Sequence, residues 1–203
     1  MAKRSGRWLR TDEAEDVAGS IRHCTQSYDL VGVDDQTWKW VALSLHSALQ
    51  GACVCHLVTT FVPVGAVSKQ NAAEWIAYSE ASRSDAEAVP PATRLLALPG
   101  LLKEVRKPKS AGDRSNPDGV VITDSELRWL LRFHNDVRNE FTHFSPKGWS
   151  LEISGLPQIS ILAVRIIREI QAMGWAFRHR EAEWLSSLSL SLDQLEDVAQ
   201  SAR

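Results

Sequence analysis

From Val41 to Val62 the chain carries no Asp, Glu, Lys or Arg, a run long enough to meet the length criterion for a membrane span. It nevertheless contains Ser44, His46, Ser47, Gln50, His56, Thr59 and Thr60, which hydrocarbon would not welcome. Trp38, Val41, Ala42, Leu45, Leu49, Ala52 and His56 recur at helical spacing. Ser44, Ser47, Ala48, Gly51 and Cys55 supply small residues for close helix contact. The segment therefore reads as a helix buried on most sides by other protein, not by lipid. A helix that is apolar nearly all round must be surrounded, and what surrounds it sets the fold class.

The rest of the chain supplies helices to do so. Thr11 is expected to cap a helix running to about Tyr28, and Asn71 to open another that holds Trp75, Ile76 and Tyr78 and stops before Pro90-Pro91. A short Leu-rich turn follows from Thr93 to Lys103. Between Lys107 and Gly119 lie Pro108, Gly112, Pro117 and Gly119, so this stretch is expected to be a mobile loop. Ile159, Leu162, Ile166, Ile170 and Met173 mark a further helix with Arg165 and Arg168 on another face, and Trp149, Leu151 and Ile153 an extended connection before it. Ser191 with Gln194 reads as the cap of a loosely attached terminal helix. The expectation is one all-α domain over residues 1–203, a helical bundle with flanking helices near 11–29 and 191–203.

Composition narrows the function classes. Net charge is −2 over 203 residues, against non-specific grip on nucleic acid, so any RNA contact must be local. Lys103, Arg106, Lys107, Lys109 and Arg114, against Glu104 and Asp113, form one basic patch, which reads first as a solvated loop and only second as an RNA contact. Eight tryptophans are many for this length and are expected mainly as core or interface anchors. Cys24, Cys53 and Cys55 are too few for a disulfide framework and suit a reducing cytoplasm. With His56 they do not make zinc spacing, so small core thiols are expected. The first residues lack the apolar run of a secretory signal.

The chemistry concentrates on one helix. Thr123-Asp124-Ser125-Glu126 reads as a capping box, and no proline or glycine follows until Pro146 and Gly148. At 100° per residue, Leu127, Leu130, Leu131, Phe133, Val137, Phe141 and Phe144 cover one side, while Arg128, Arg132, Asn135, Asn139 and His143 form a polar stripe. Arg138 falls inside the apolar arc beside His134, where a guanidinium needs a partner: a carboxylate elsewhere in the chain, or a substrate. Arg138 can hold a phosphate oxygen through its fork of donors. His143 can move protons near neutral pH, and Asn139 can orient either of them or a ribose hydroxyl.

Arg138-Asn139 with His143 near the end of a long helix resembles the signature of the HEPN superfamily (higher eukaryotes and prokaryotes nucleotide-binding domains). That signature is an arginine, usually followed by a polar residue, and a histidine four to six residues further along. The resemblance covers the helix from Thr123 to Phe144, with looser support from the helices around it. It implies an all-α bundle, commonly a homodimer in which two copies of the motif line one cleft. It implies either a metal-independent endoribonuclease, often a toxin or antiviral effector, or a module that has lost catalysis and binds a nucleotide or a protein. Arg138, Asn139 and His143 would then be catalytic, with Arg128, Arg132, Asn135 and His134 as substrate contacts. No metal or cofactor is called for. RNA or a nucleotide would be the ligand, and an antitoxin-type protein partner fits either case. The segment from Ser145 to Trp149 is not part of the general signature.

Overall fold

The computed structural model describes residues 8–60, 63–143, 146 and 148–202. All its regular elements are helical; a single antiparallel bridge, Val67 to Leu95, is the one piece of β pairing among the described residues. The segment that opened the sequence reading is the axis of the molecule. Helix α2, Trp38–Leu57, buries fourteen of its residues and touches α1 (Glu13–Tyr28), α4 (Leu98–Val105), α7 (Leu156–Ala172) and the motif-bearing turn described below. No helix among the described residues is long and apolar enough to cross a membrane. Phe61 and Val62, the end of the uncharged run, lie outside the described residues.

Helix α1 packs antiparallel on α2, as the pairing of Cys24 with the Val41 carbonyl (3.6 Å) and of Ser47 with Asp16 (3.1 Å) requires. Val17, Ile21, Cys24 and Tyr28 face inward at spacings of four, three and four. The approach is close because Gly51 has no side chain: a Cβ there would stand 2.7 Å from Val17 Cγ2. The α1 cap is Asp12, not Thr11: its carboxylate accepts from Glu15 N at 3.0 Å, and Glu13, Glu15 and Asp16 complement the helix dipole.

Three other boundaries differ from the sequence reading. Helix α3, Lys69–Ala81, is capped by Ser68, and Asn71 sits inside its first turn. Asn71 is 1% exposed because its carboxamide ties the proline-rich return: Nδ2 donates to Ala92 O (3.0 Å) and Oδ1 accepts from Arg94 N (2.8 Å). The segment from Lys107 to Gly119 is pinned by hydrogen bonds rather than left loose. Buried Asn116 accepts from Ala111 N (2.8 Å) and donates to Asp118 O (2.7 Å), and Gly112 N donates to His56 O (2.9 Å). Gly112 fits only as glycine, since a Cβ would lie 2.0 Å from Val58 O.

The third is the terminal helix. Helix α8 runs Ala182–Ser201, so Ser191 is mid-helix, 7% exposed, with Oγ donating back to Ser187 O at 2.9 Å. A serine can sit mid-helix with its hydroxyl on the carbonyl four residues back, and here the burial of the leucines around it overrides its cap preference. Leu188, Leu192, Leu195 and Ala199 bury against α7 and α1. Arg168 pairs with Asp193 and Glu196, and Trp184 Nε1 donates to Glu15 at 3.0 Å, so α8 is docked rather than loose. Cys24, Cys53 and Cys55 are buried free thiols, as expected. Of the tryptophans, Trp38 is buried in the core and Trp129 and Trp184 pack half-buried against it, Trp75 and Trp175 are half-buried, and Trp8, Trp40 and Trp149 are exposed.

Candidate functional site

Helix α5, Asp124–Arg132, starts as its capping box dictates: Glu126 N donates to Thr123 Oγ1 (3.2 Å) and Thr123 N to Glu126 Oε2 (2.8 Å). Leu127 and Leu130 bury against the core. The helix then widens into a π turn over Phe133–Arg138 before closing as the short α6, Asn139–Thr142. A π turn holds an extra residue, so steps of 100° fail beyond Arg132. Phe133 and His134 both face inward and Asn135 and Asp136 both outward, a pattern of adjacent pairs that a uniform α-helix does not give.

The expected site residues consequently divide. Arg128, Arg132, Asn135 and His143 are exposed, and Arg138 and Asn139 are half-buried. His134 does not join the exposed substrate contacts: it is 9% exposed and its Nδ1 lies 2.8 Å from Nε2 of His46 on α2. The two imidazoles stack at 5.1 Å between centroids, with Phe133 beside His46 at 6.2 Å. In the bonded pair one ring nitrogen donates and the other accepts. Burial, then the Arg138 guanidinium, then His134 hold His46 down to about 3; burial and Arg138 also lower His134.

Arg138, half-buried, lies close enough to the His46–His134 pair for its charge to act on both rings. No carboxylate among the described residues pairs with it. Its Nη1 donates to Asn139 Oδ1 at 3.0 Å, and its charge bears on two imidazoles that will not neutralise it. The Asn139 amide nitrogen makes no hydrogen bond among the described residues, so a second donor stands beside the guanidinium. Thr142 Oγ1 closes the turn onto the Arg138 and Asn139 carbonyls, both at 3.2 Å. His143 N bonds Asn139 O at 2.8 Å, and its backbone then leaves the helix at φ −109°, ψ 89°. The helix therefore ends before Pro146 and Gly148; Phe144, Ser145 and Lys147 lie outside the described residues.

The chain matches no family model, no curated protein and no solved structure.

What the arrangement can do follows from its charge. An arginine half-withdrawn from water without a counterion is an unfinished ion pair, and an oxyanion reaching it would complete the pair with charge-assisted bonds from both Arg138 and Asn139. His143, exposed at the end of the same turn, can exchange a proton with whatever that oxyanion carries. Two larger concavities, about 490 and 630 Å³, lie by the start of α1 and between α7 and α8. Arg180 there is engaged by Asp12 and Glu15, and Arg178 stacks on Trp175 at 3.5 Å with its Nε left without a partner among the described residues. The basic loop is partly neutralised as well, with Arg106 on Asp124 (2.7 Å) and Lys107 on Glu104 (2.6 Å).

His46 is the residue that sequence reasoning passed over. It appeared only as one polar member of an uncharged run. The available signal was that a histidine on a helix buried on most sides must find a partner, and His134, on the inward face of the motif helix, offered one.

Proposed function

We propose that this protein is a metal-independent endoribonuclease of HEPN type, and that it acts as a toxin or defence effector. The observation that carries the reading is Arg138: a half-buried guanidinium with no carboxylate partner among the described residues, bonded to Asn139 one turn before an exposed His143. The ribose 2′-hydroxyl attacks the adjacent phosphorus, its proton passing to the histidine. The phosphorus–O5′ bond breaks, the leaving oxygen is protonated, and a 2′,3′-cyclic phosphate remains. Arg138 and Asn139 stabilise the charge that builds on the non-bridging oxygens, where fixed donors contribute most. Within one chain His143 faces outward, which suits a composite site made by two copies of the motif in a homodimer. A nucleotide- or protein-binding module without catalysis is the second reading, favoured by the net charge of −2.

The test is purified wild type, His143→Ala and Arg138→Ala incubated with structured and single-stranded RNAs in EDTA. Cleavage by wild type alone, leaving 2′,3′-cyclic ends, supports the nuclease. Intact RNA throughout supports the binding module, and undiminished cleavage by His143→Ala removes that residue from the mechanism.

A further inference from the structure

Beside the motif, where α2 and α6 meet the extended segment after it, lies a cavity of about 350 Å³. Its aromatic members are Trp38 at the start of α2, Phe141 on α6, and Trp149. Phe141 and Trp149 meet edge to face at 5.0 Å and 66°, which fixes the indole yet leaves Trp149 41% exposed. Asp35 and Gln36, in the 3-10 turn before α2, and Lys39 supply polar groups. The side chains of Asp35 and Gln36 make no hydrogen bonds among the described residues.

The position of this cavity gives it meaning. Helix α2 runs antiparallel to the motif helix, since His46 opposes His134 and Trp38 shares the cavity with Phe141. Trp38 and His46 are eight residues apart, about 12 Å along α2. Arg138 lies between those levels, and Phe141 follows it by three residues, across the junction of the π turn with α6. A cation with no carboxylate partner among the described residues therefore precedes, by three residues, the ring against which the half-open indole rests. That is the pair of features by which proteins hold single-stranded nucleic acid: charge on the backbone, an aromatic ring under the base.

We propose that the Trp38–Phe141–Trp149 cavity is a nucleobase subsite for single-stranded RNA whose phosphate sits at Arg138. It rests on the ribonuclease reading for its ligand class, and it gives the segment around Trp149 a role that the Arg-x4-His signature does not. The base stacks on the Trp149 indole, and Asp35 and Gln36 bond its edge. A base paired in a duplex has no free face for the indole, so the site selects unpaired RNA.

The test titrates a fluorescein-labelled single-stranded 2′-O-methyl oligonucleotide of mixed sequence, which lacks the attacking hydroxyl and is not cut. It is compared with the same backbone lacking bases, by anisotropy, against wild type, Trp149→Ala and Trp149→Phe. Trp149→Ala should weaken binding of the base-bearing strand about tenfold, as loss of one stacked base does. Trp149→Phe should restore most of that loss, which separates stacking from failure to fold. The base-free strand should bind wild type and Trp149→Ala alike. Equal affinity of wild type and Trp149→Ala for the base-bearing strand, or no binding by wild type, overturns the proposal. So does a Trp149→Ala change in sedimentation without a change in RNA affinity, which would make this face a contact between copies of the chain. Cleavage of unmodified RNA is measured in parallel. Trp149-dependent binding without cleavage keeps the subsite and removes the nuclease; cleavage with Trp149-independent binding does the reverse.

Discussion

Helix α2 carries two buried histidines ten residues apart, and they do opposite work. His56, near its C-terminal end, is fully buried, with Nε2 2.9 Å from Ser110 Oγ, and Ser110 is bonded in turn to Val105 O (3.0 Å) and Asn116 (3.2 Å). Burial holds it down to about 4, against a small opposing pull from Asp113. His46 is held down to about 3, again mainly by burial, but next in order by a cation. Both are neutral, bonded and inaccessible, so neither burial nor a lowered pKa tells them apart. What differs is the surroundings. At the His56 end Nε2 bonds into a pinned loop that carries no uncompensated charge, although Nδ1 has no partner among the described residues. At the His46 end Arg138 is left with a charge that nothing among the described residues offsets. Perturbed titration is therefore a poor guide here, and uncompensated charge a better one.

That contrast can be broken most sharply by activity. Arg138→Ala and His143→Ala should each lower RNA cleavage by about 10²–10⁴-fold, the range for losing one acid–base or charge-stabilising group. His56→Ala should leave cleavage per folded molecule unchanged; a comparable loss there would erase the distinction between the two ends. Stability should show the next largest effect. His46→Ala and His56→Ala should each cost about 2–4 kcal/mol by denaturant unfolding, from the cavity and the polar partner left behind. Only His46→Ala should also reduce cleavage, because Arg138 then loses the surface it rests on.

The pH dependence comes next. Because the folded-state values of His46 and His56 lie below the ordinary value of 6.5, the unfolded chain takes up protons that the native chain refuses. Their contribution is full above pH 6.5 and is lost as pH falls toward about 3 for His46 and about 4 for His56. Each histidine should contribute a slope approaching about 1.4 kcal/mol per pH unit. Unfolding free energy measured between pH 7 and 5 should fall accordingly, and a flat profile would mean that the pair is open to water. The smallest effect sharpens the comparison furthest. Arg138→Met should change stability by no more than about 0.5 kcal/mol, since no ion pair is broken, whereas a loss of about 3–5 kcal/mol would reveal a buried carboxylate partner.

Much of this architecture was legible because it rests on local rules. The uncharged run forecast the buried axis, Thr123 with Glu126 forecast the start of α5, and the Ile/Leu spacing after Ile159 forecast α7. The readings that failed put a local preference above a tertiary one. Ser191 has the chemistry of a cap but sits where leucines at 188, 192 and 195 require helix. Asn71 has the same chemistry, spent on a distant backbone. At the site, Arg138, Asn139 and His143 could be named from their order alone, whereas the π turn over Phe133–Arg138 takes the direction of Arg138 out of reach of a uniform wheel. His46 and Trp149 could not, because each enters through contact between segments 88 and 8 residues apart, with His134 and with Phe141. The π turn left no mark in composition at all.

That turn has a bearing on how such a site can change over generations. Everything up to Arg132 is oriented by packing against the core, and everything from Asn139 onward by the same helix offset by one residue. Point substitutions can strengthen or weaken either half but cannot rotate one against the other. Only losing or gaining a codon within Phe133–Arg138 can, and it would swing the motif by about 100° in a single event. The aim of the motif is thus inherited as a count of residues, insulated from the drift in side chains that surrounds it.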